Sequence, residues 1–312
     1  MRYFIKKVFV LLLTLFIISV LTFASFHIIP GDSALLILGT EATEEQLSDL
    51  RHEMGIDKSL KEQYVSWISG IFRGDMGTSL KYKKSVKSLV ASRLGITIAL
   101  GAMSIFVIVV FGIGLGIYSA KKNDRPILNF LTMLGVSVPN FYLSIIIIWI
   151  FGLTLHLFTP NKYIPFAKDP LGFFQYMLFP VITIAIPETA ILVKYVRTAV
   201  LNEKSQGYVR TAYSKGNSEN AVLFRHILKN AIVAVFPLLG MIAGSVFSGS
   251  IIVEQIFGIS GIGRLLISSV SSRDFPLTQA LVLYIGSIVV IINFLVDIAV
   301  QLLDPRIRLE KK

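Results

Sequence analysis

The chain contains no cysteine, which excludes disulfides, thiolate metal sites and a cysteine nucleophile together. Charge is scarce as well. Only 16% of the 312 residues are charged against 54% hydrophobic, and the mean hydropathy of +0.72 is far from that of a soluble domain. The four histidines, His27, His52, His156 and His226, show no pairwise metal-ligand spacing, so no metal site built by this chain is expected. The first and third fall near membrane boundaries, and the other two read as surface residues. No G-x-x-x-x-G-K-[ST] loop occurs, which removes the usual device for holding ATP. There is also no conspicuous inverted repeat of broken helices and no row of intramembrane carboxylates for a proton relay. Whatever energy the protein uses comes from elsewhere.

What is abundant is apolar sequence in long blocks. After Arg2, Lys6 and Lys7 the chain runs apolar from Val8 to Ile28, about the 20 residues that cross a bilayer. Its length and the lack of a small-x-small cleavage site favour a signal-anchor helix within residues 1–30 over a cleaved signal peptide. Five further blocks follow at about 96–120, 134–158, 177–200, 231–253 and 277–303, each long enough to span. Six spans place both termini on one side. The net charge of +11 tests the orientation. Lys121, Lys122, Arg125, Lys194, Arg197, Lys204, Arg210, Lys215, Arg225, Lys229 and the basic tail 304–312 all fall on the side of the N-terminus. The two short opposite loops hold only Lys162, Lys168, Arg264 and Arg273. By the positive-inside rule the termini are cytosolic, and nucleic acid is not needed to account for the charge.

Residues 31–94 then form a small extracytoplasmic region with nine basic and nine acidic residues, too short for a sizeable core of its own. Thr43 followed by Gln46 is a capping box that predicts a helix over 43–54. A second helix is expected over 60–72, and 70–79, GIFRGDMGTS, reads as a turn.

Between the fourth and fifth apolar blocks lies a polar island, 205–230. Tyr208, Val209, Ala212 and Tyr213 stand at helical spacing and predict one apolar stripe. Lys215-Gly216-Asn217-Ser218 reads as a helix end, with Gly216 free to turn left-handed and Asn217 or Ser218 able to cap a second helix carrying Val222, Leu223, Phe224, Ile227 and Leu228. The island is a helix–turn–helix that offers a face to the cytosol.

Inside the spans, ionisable residues are costly and therefore candidates for function. Glu188 lies mid-span, open to an ion pair with Lys194 or Arg197 or to a substrate contact. Asn293 and Asp297 lie one turn apart and read as a structural polar contact between helices. Pro139, Pro180 and Pro187 would kink or interrupt their helices, and Pro139 with Asn140 is placed with Glu188 on a candidate pathway. Gly112, Gly114 and Gly116, and Gly240, Gly244 and Ser248, allow close helix approach.

The stretch YVRTAYSKGNSENAVLFRHILKNA resembles the cytosolic signature loop of ABC-importer permeases, the family's glycine falling on Gly216 with Ala212 four residues before it. Pro30–Asp32 (PGD), Gly74–Ser79 (GDMGTS), Val136–Phe141 (VSVPNF), Val253–Leu266 (VEQIFGISGIGRLL), Arg273–Pro276 (RDFP) and Asn293–Arg308 narrow the resemblance to the first permease subunit of the dipeptide, oligopeptide and nickel branch, in register over nearly the whole chain. Departures are Ala212-Tyr213-Ser214-Lys215-Gly216 in place of an Ala-Arg-Ala-Lys-Gly type, and Ala234 and Ser260 where prolines are common.

The resemblance implies an all-α integral membrane protein of six transmembrane helices, with a coupling helix between helices 4 and 5 near Tyr208 to Glu219. It implies a heterodimer with a second homologous permease, two cytosolic ATPase subunits holding ATP and Mg, and an extracytoplasmic substrate-binding protein. No cofactor is implied on this chain. Tyr208, Arg210, Ala212, Tyr213, Lys215, Gly216 and Glu219 would then meet the ATPase. The cargo would be di- or oligopeptides, with nickel or another chelated metal as the alternative, and a lone secondary transporter, channel or membrane scaffold as rivals of another class.

Overall fold

The computed structural model describes residues 2–28, 33–39, 41–121 and 126–303. The Pro30–Asp32 motif, Lys122, Arg125 and the tail 304–312 therefore lie outside the described residues. The described chain is helical, with a single isolated β-bridge, Thr78 with Ser85. Five helices are long and apolar enough to cross a membrane, and a sixth span exists if one sharply bent pair counts as one. The chain divides into two units, 1–95 with 264–290, and 96–263 with 291–312.

In the first unit α1 (Arg2–Ile28) is followed by α2 (Ser33–Leu38), α3 (Glu44–Met54) and α4 (Leu60–Phe72). The Thr43/Gln46 capping box is present, and α3 stops at Gly55, left-handed at φ 66°. A second box, Ser59 with Glu62, opens α4 in the same reciprocal way. The α4 helix lies against α1: Ser19 and Tyr64 share a hydroxyl hydrogen bond of 2.7 Å, and His27 Nε2 meets Gln63 Oε1 at 2.9 Å. Phe23 packs edge-on to Tyr64 and beside Trp67, with ring centroids 5.4 and 6.0 Å away.

Asp274 is fully buried and gathers the 74–84 loop. Its carboxylate accepts from the Ser79 hydroxyl and from the backbone N–H groups of Leu80 and Lys81, both at 3.1 Å. The GDMGTS and RDFP motifs, nearly 200 positions apart, are thus one structural joint. The loop itself turns on Gly74 and Gly77, both at positive φ.

The second unit holds most of α5 (Val86–Lys121), then α6 (Pro126–Ser137), α7 (Asn140–Ile147) and a π-helical stretch, Ile148–Thr154. The apolar block 134–158 is therefore not one helix. The segments 126–137 and 140–154 meet at 104° because Pro139 has no N–H to continue the ladder and holds its neighbour extended. By contrast α8 (Pro170–Lys204) runs through Pro180 and Pro187 as one helix, so of the expected kink or interruption the second does not occur.

After α8 come α9 (Gly207–Ser214), α10 (Glu219–Val222), a π-helical turn at Leu223–Ile227, α11 (Leu228–Phe257), α12 (Ile262–Ser271) and α13 (Phe275–Leu303). The core is built where α8 lies on α11 and α6. Gly112 and Gly116 let α5 settle onto α8, since a β-carbon at either would overlap Leu192 or Val196. Gly240 does the same for α11 against Val296, and Gly114, by contrast, faces open space.

Candidate functional site

The polar island folds as a short helix, a left-handed turn and a second helix. In α9, Val209 and Ala212 point inward and join Val222, Leu223 and Ile227 in the core, so the island is anchored by its own apolar residues. The expected single stripe is split. Tyr208 and Tyr213 flank the buried pair and are 38% and 41% exposed, one helical step to either side of the inward face.

The turn is built by backbone need. Gly216 has φ 79°, and its N–H donates to the Tyr213 carbonyl at 2.9 Å. Asn217 donates its side-chain amide to the Ala212 carbonyl at 2.9 Å, and Ser218 is the cap, accepting from Ala221 N–H. Glu219 therefore opens α10 and is not part of the α9 helix. A β-carbon at Gly216 would meet nothing within 4 Å. The turn is thus an exposed knuckle, with Arg210, Lys215 and Glu219 around it, all exposed.

The knuckle is tied back at both flanks. The Tyr208 hydroxyl donates to Glu203 and accepts from Asn230 Nδ2 at 2.9 Å. Lys121 Nζ donates to Asn220 Oδ1 at 2.5 Å, and Lys204 Nζ to the Ala120 carbonyl at 3.4 Å. Three apolar helices, α5, α8 and α11, thereby converge on the same exposed turn.

A second cluster lies among α7, α8 and α11. Glu188, 7% exposed, accepts a hydrogen bond from the Ser245 hydroxyl. Among the described residues it pairs with neither Lys194 nor Arg197, which removes the internal ion pair as an account of it. Four residues after Ser245 on the same face of α11, Gly249 receives Asn140, whose Nδ2 would stand 2.8 Å from a β-carbon there. The Asn140 Oδ1 is buried with no hydrogen-bond partner. The structure thus brings Glu188 and Asn140 onto one small-residue face of α11, and Pro139 serves as the N-cap position of α7. Asn293 is exposed and Asp297 half-buried one turn later on α13.

Two buried polar centres were not singled out by sequence. Besides Asp274, Glu254 is fully buried at the end of α11. Its Oε1 accepts from the Thr97 hydroxyl at 2.6 Å, and Thr97 Oγ1 in turn accepts from the Ile262 N–H at 2.9 Å, the first amide of α12. Gly261 and Gly263 leave the space the carboxyl fills. The signal was present: a lone carboxylate closing an apolar block, followed by paired glycines.

Long apolar helices in this number define a multi-pass, all-helical membrane protein. Residues 108–309 match the family model described as "Binding-protein-dependent transport system inner membrane component", and residues 1–101 match the N-terminal model of the same group. The chain belongs to that family of ABC-importer permeases. Membership makes it an inner-membrane transport subunit that works with ATPase and substrate-binding proteins, and not itself an enzyme.

A Brucella abortus protein provisionally named a peptide transport system permease is 35% identical over 307 residues, 97% of this chain and 98% of its own length. The dipeptide transport system permease protein of Lactococcus lactis is 32% identical over 99% of both chains. The glutathione transport system permease protein of Escherichia coli is 33% identical, also over 99% of both.

Proposed function

We propose that this chain forms half of the translocation pathway of a peptide importer, beside a second homologous permease, and that the α9 knuckle receives the thrust of a cytosolic ATPase. The observation that carries the coupling role is the exposed turn at Gly216, standing on a buried Val209/Ala212 anchor. Aromatic and arginine side chains dominate protein interfaces, and Tyr208, Arg210 and Tyr213 of the helix before that turn are exposed. Ala212 supplies the inward anchor, and Lys215, Gly216 and Glu219 the surface itself. Two ATPase subunits, each binding ATP and Mg, would draw the two permeases' knuckles together and rock the spans.

Six spans with both termini cytosolic fit the distribution of basic residues, provided the bent pair 126–154 counts as one. The region 31–94 and the 254–276 loop then face outward, towards a substrate-binding protein. Peptides are favoured over chelated nickel because the similar permeases described above carry names for peptide, dipeptide and glutathione transport. Glu188 and Asn140, on one face of α11, are the polar groups proposed for the pathway.

The test is uptake of a labelled dipeptide, and of nickel offered free and chelated, by cells with and without the chain. Peptide uptake alone should fall. In the same cells Gly216→Glu should leave the protein inserted and abundant while uptake is lost. The backbone strain of a non-glycine residue at this φ is only about 1–2 kcal/mol, and a β-carbon there meets nothing within 4 Å among the described residues. Normal uptake by that variant refutes the coupling role.

A further inference from the structure

A cleft of about 670 Å³ lies within the first unit, at the end of α1 and the start of α13, a size typical of small-molecule sites. Its apolar wall is aromatic, with Phe23, Trp67 and Phe275 among its lining. Its rim carries charge of both signs, from Arg51 and from the carboxylates Asp57 and Asp75. Gln279 also lines it, and this residue is 9% exposed with its Nε2 buried and without a hydrogen-bond acceptor.

That last feature is the telling one. A buried amide donor left unmet costs the protein stability, so an acceptor delivered from outside gives up only its bond to water and breaks none within the protein. Several other polar groups of the cleft are already engaged. His27 meets Gln63, Asp57 meets His52 at 2.7 Å, and Asp75 Oδ1 accepts from the Gly77 N–H at 2.9 Å. The missing partner is therefore a carbonyl on a body apolar enough to lie against aromatic rings, with ends that tolerate charges of both signs.

We propose that this cleft binds a short zwitterionic peptide, its apolar side chain against Trp67 and Phe23 and a backbone carbonyl on the Gln279 amide. The assignment rests on the peptide-importer reading, and it gives this subunit a cargo site of its own, separate from Glu188 and Asn140. A phospholipid ester also joins a carbonyl to an apolar chain, and the experiment distinguishes the two.

Trp67 and Trp149 are the two indoles of the chain, so Trp149→Phe leaves Trp67 as the reporter. The full-length protein, in nanodiscs of unlabelled lipid, is titrated with a tripeptide of alanine, p-bromophenylalanine and alanine. Saturable quenching of Trp67 is expected, with competition by the unbrominated peptide. Gln279→Leu should raise the midpoint about three- to tenfold, the value of one hydrogen bond, without lowering the thermal midpoint of the unliganded chain. Absence of saturable quenching, or the same midpoint in Gln279→Leu, overturns the proposal. So does quenching by brominated-acyl phosphatidylethanolamine that the peptide fails to displace. Binding is read here without ATPase partners. Loss of peptide uptake on deleting the chain, with a silent Trp67, removes only the cleft assignment. A responding Trp67 with unchanged uptake removes the importer reading instead.

Discussion

Substituting Gly261 by alanine should unseat a whole buried joint, and the size of the effect follows from the atoms around it. A β-carbon at this position falls directly on the Glu254 carboxyl group. Glu254 has no room to retreat, being fully buried, with Gly263 close on the other side: a β-carbon there would stand 2.9 Å from Oε2. Overpacking of this kind costs about 1–3 kcal/mol. If the carboxyl is pushed off Thr97, a buried hydroxyl loses its acceptor at a further cost of roughly 1–3 kcal/mol. The sum is about 4 kcal/mol, close to a thousandfold in the folding equilibrium.

The reasoning names the collision partner, so a double-mutant cycle tests it. On a Glu254→Ala background the space is vacant, and Gly261→Ala should then cost less than about 1 kcal/mol, a coupling of roughly 3 kcal/mol. The assay is equilibrium unfolding of the detergent-solubilised chain by circular dichroism, with hydrogen exchange at the Ile262 amide as the local reporter. Equal cost of Gly261→Ala on both backgrounds would refute the account, because the glycine would then be needed for some other reason.

Asp274→Ala should release the 74–84 loop. It leaves the Ser79 hydroxyl and two backbone amides without their acceptor, a loss of roughly 3 kcal/mol, and cleavage within that loop by added protease should rise while cleavage elsewhere stays constant. Acid should fray the start of α4. The Ser59 hydroxyl and backbone N–H hold Glu62 below the ordinary glutamate pKa, so the support is complete above that ordinary value and is lost as pH falls through the lower folded value. Amide exchange at the first turn of α4 should accelerate over that window in the native chain and show no such step in Glu62→Gln.

Much of the helical layout was legible because its signals are local. Thr43 with Gln46, Gly216 with Ser218, and the long apolar blocks each declare themselves within a few residues, and the structure has a helix or turn at each. The bend at Pro139 was half legible. The proline announced an interruption, but not that the span would begin at Pro126 and fold back by 104°. The polar centres were hidden for a different reason. Thr97 meets Glu254 across 157 positions, and Ser79 meets Asp274 across 195, distances at which periodicity carries no information. Glu188 stood out as a mid-span acid, yet its partner Ser245 lies 57 positions away and carries no mark of its own. Tyr208 and Tyr213 were read as one stripe with Val209 and Ala212 because apolar character alone does not separate an anchor from a flank.

From Glu219 to Phe257 the helix is continuous over 39 residues, about 58 Å at the usual rise. One end is fused to the α9 knuckle through a shared core, and the other ends beside the Glu254–Thr97–Ile262 joint. On the coupling role proposed above, such a member would act as a lever: a displacement of the knuckle at one end would become a movement at the other, with no intervening loop to absorb it. Two irregularities lie along its length, Pro237 and the π-helical turn at Leu223–Ile227, and the second sits next to the knuckle, where a wrist would be placed between hand and forearm.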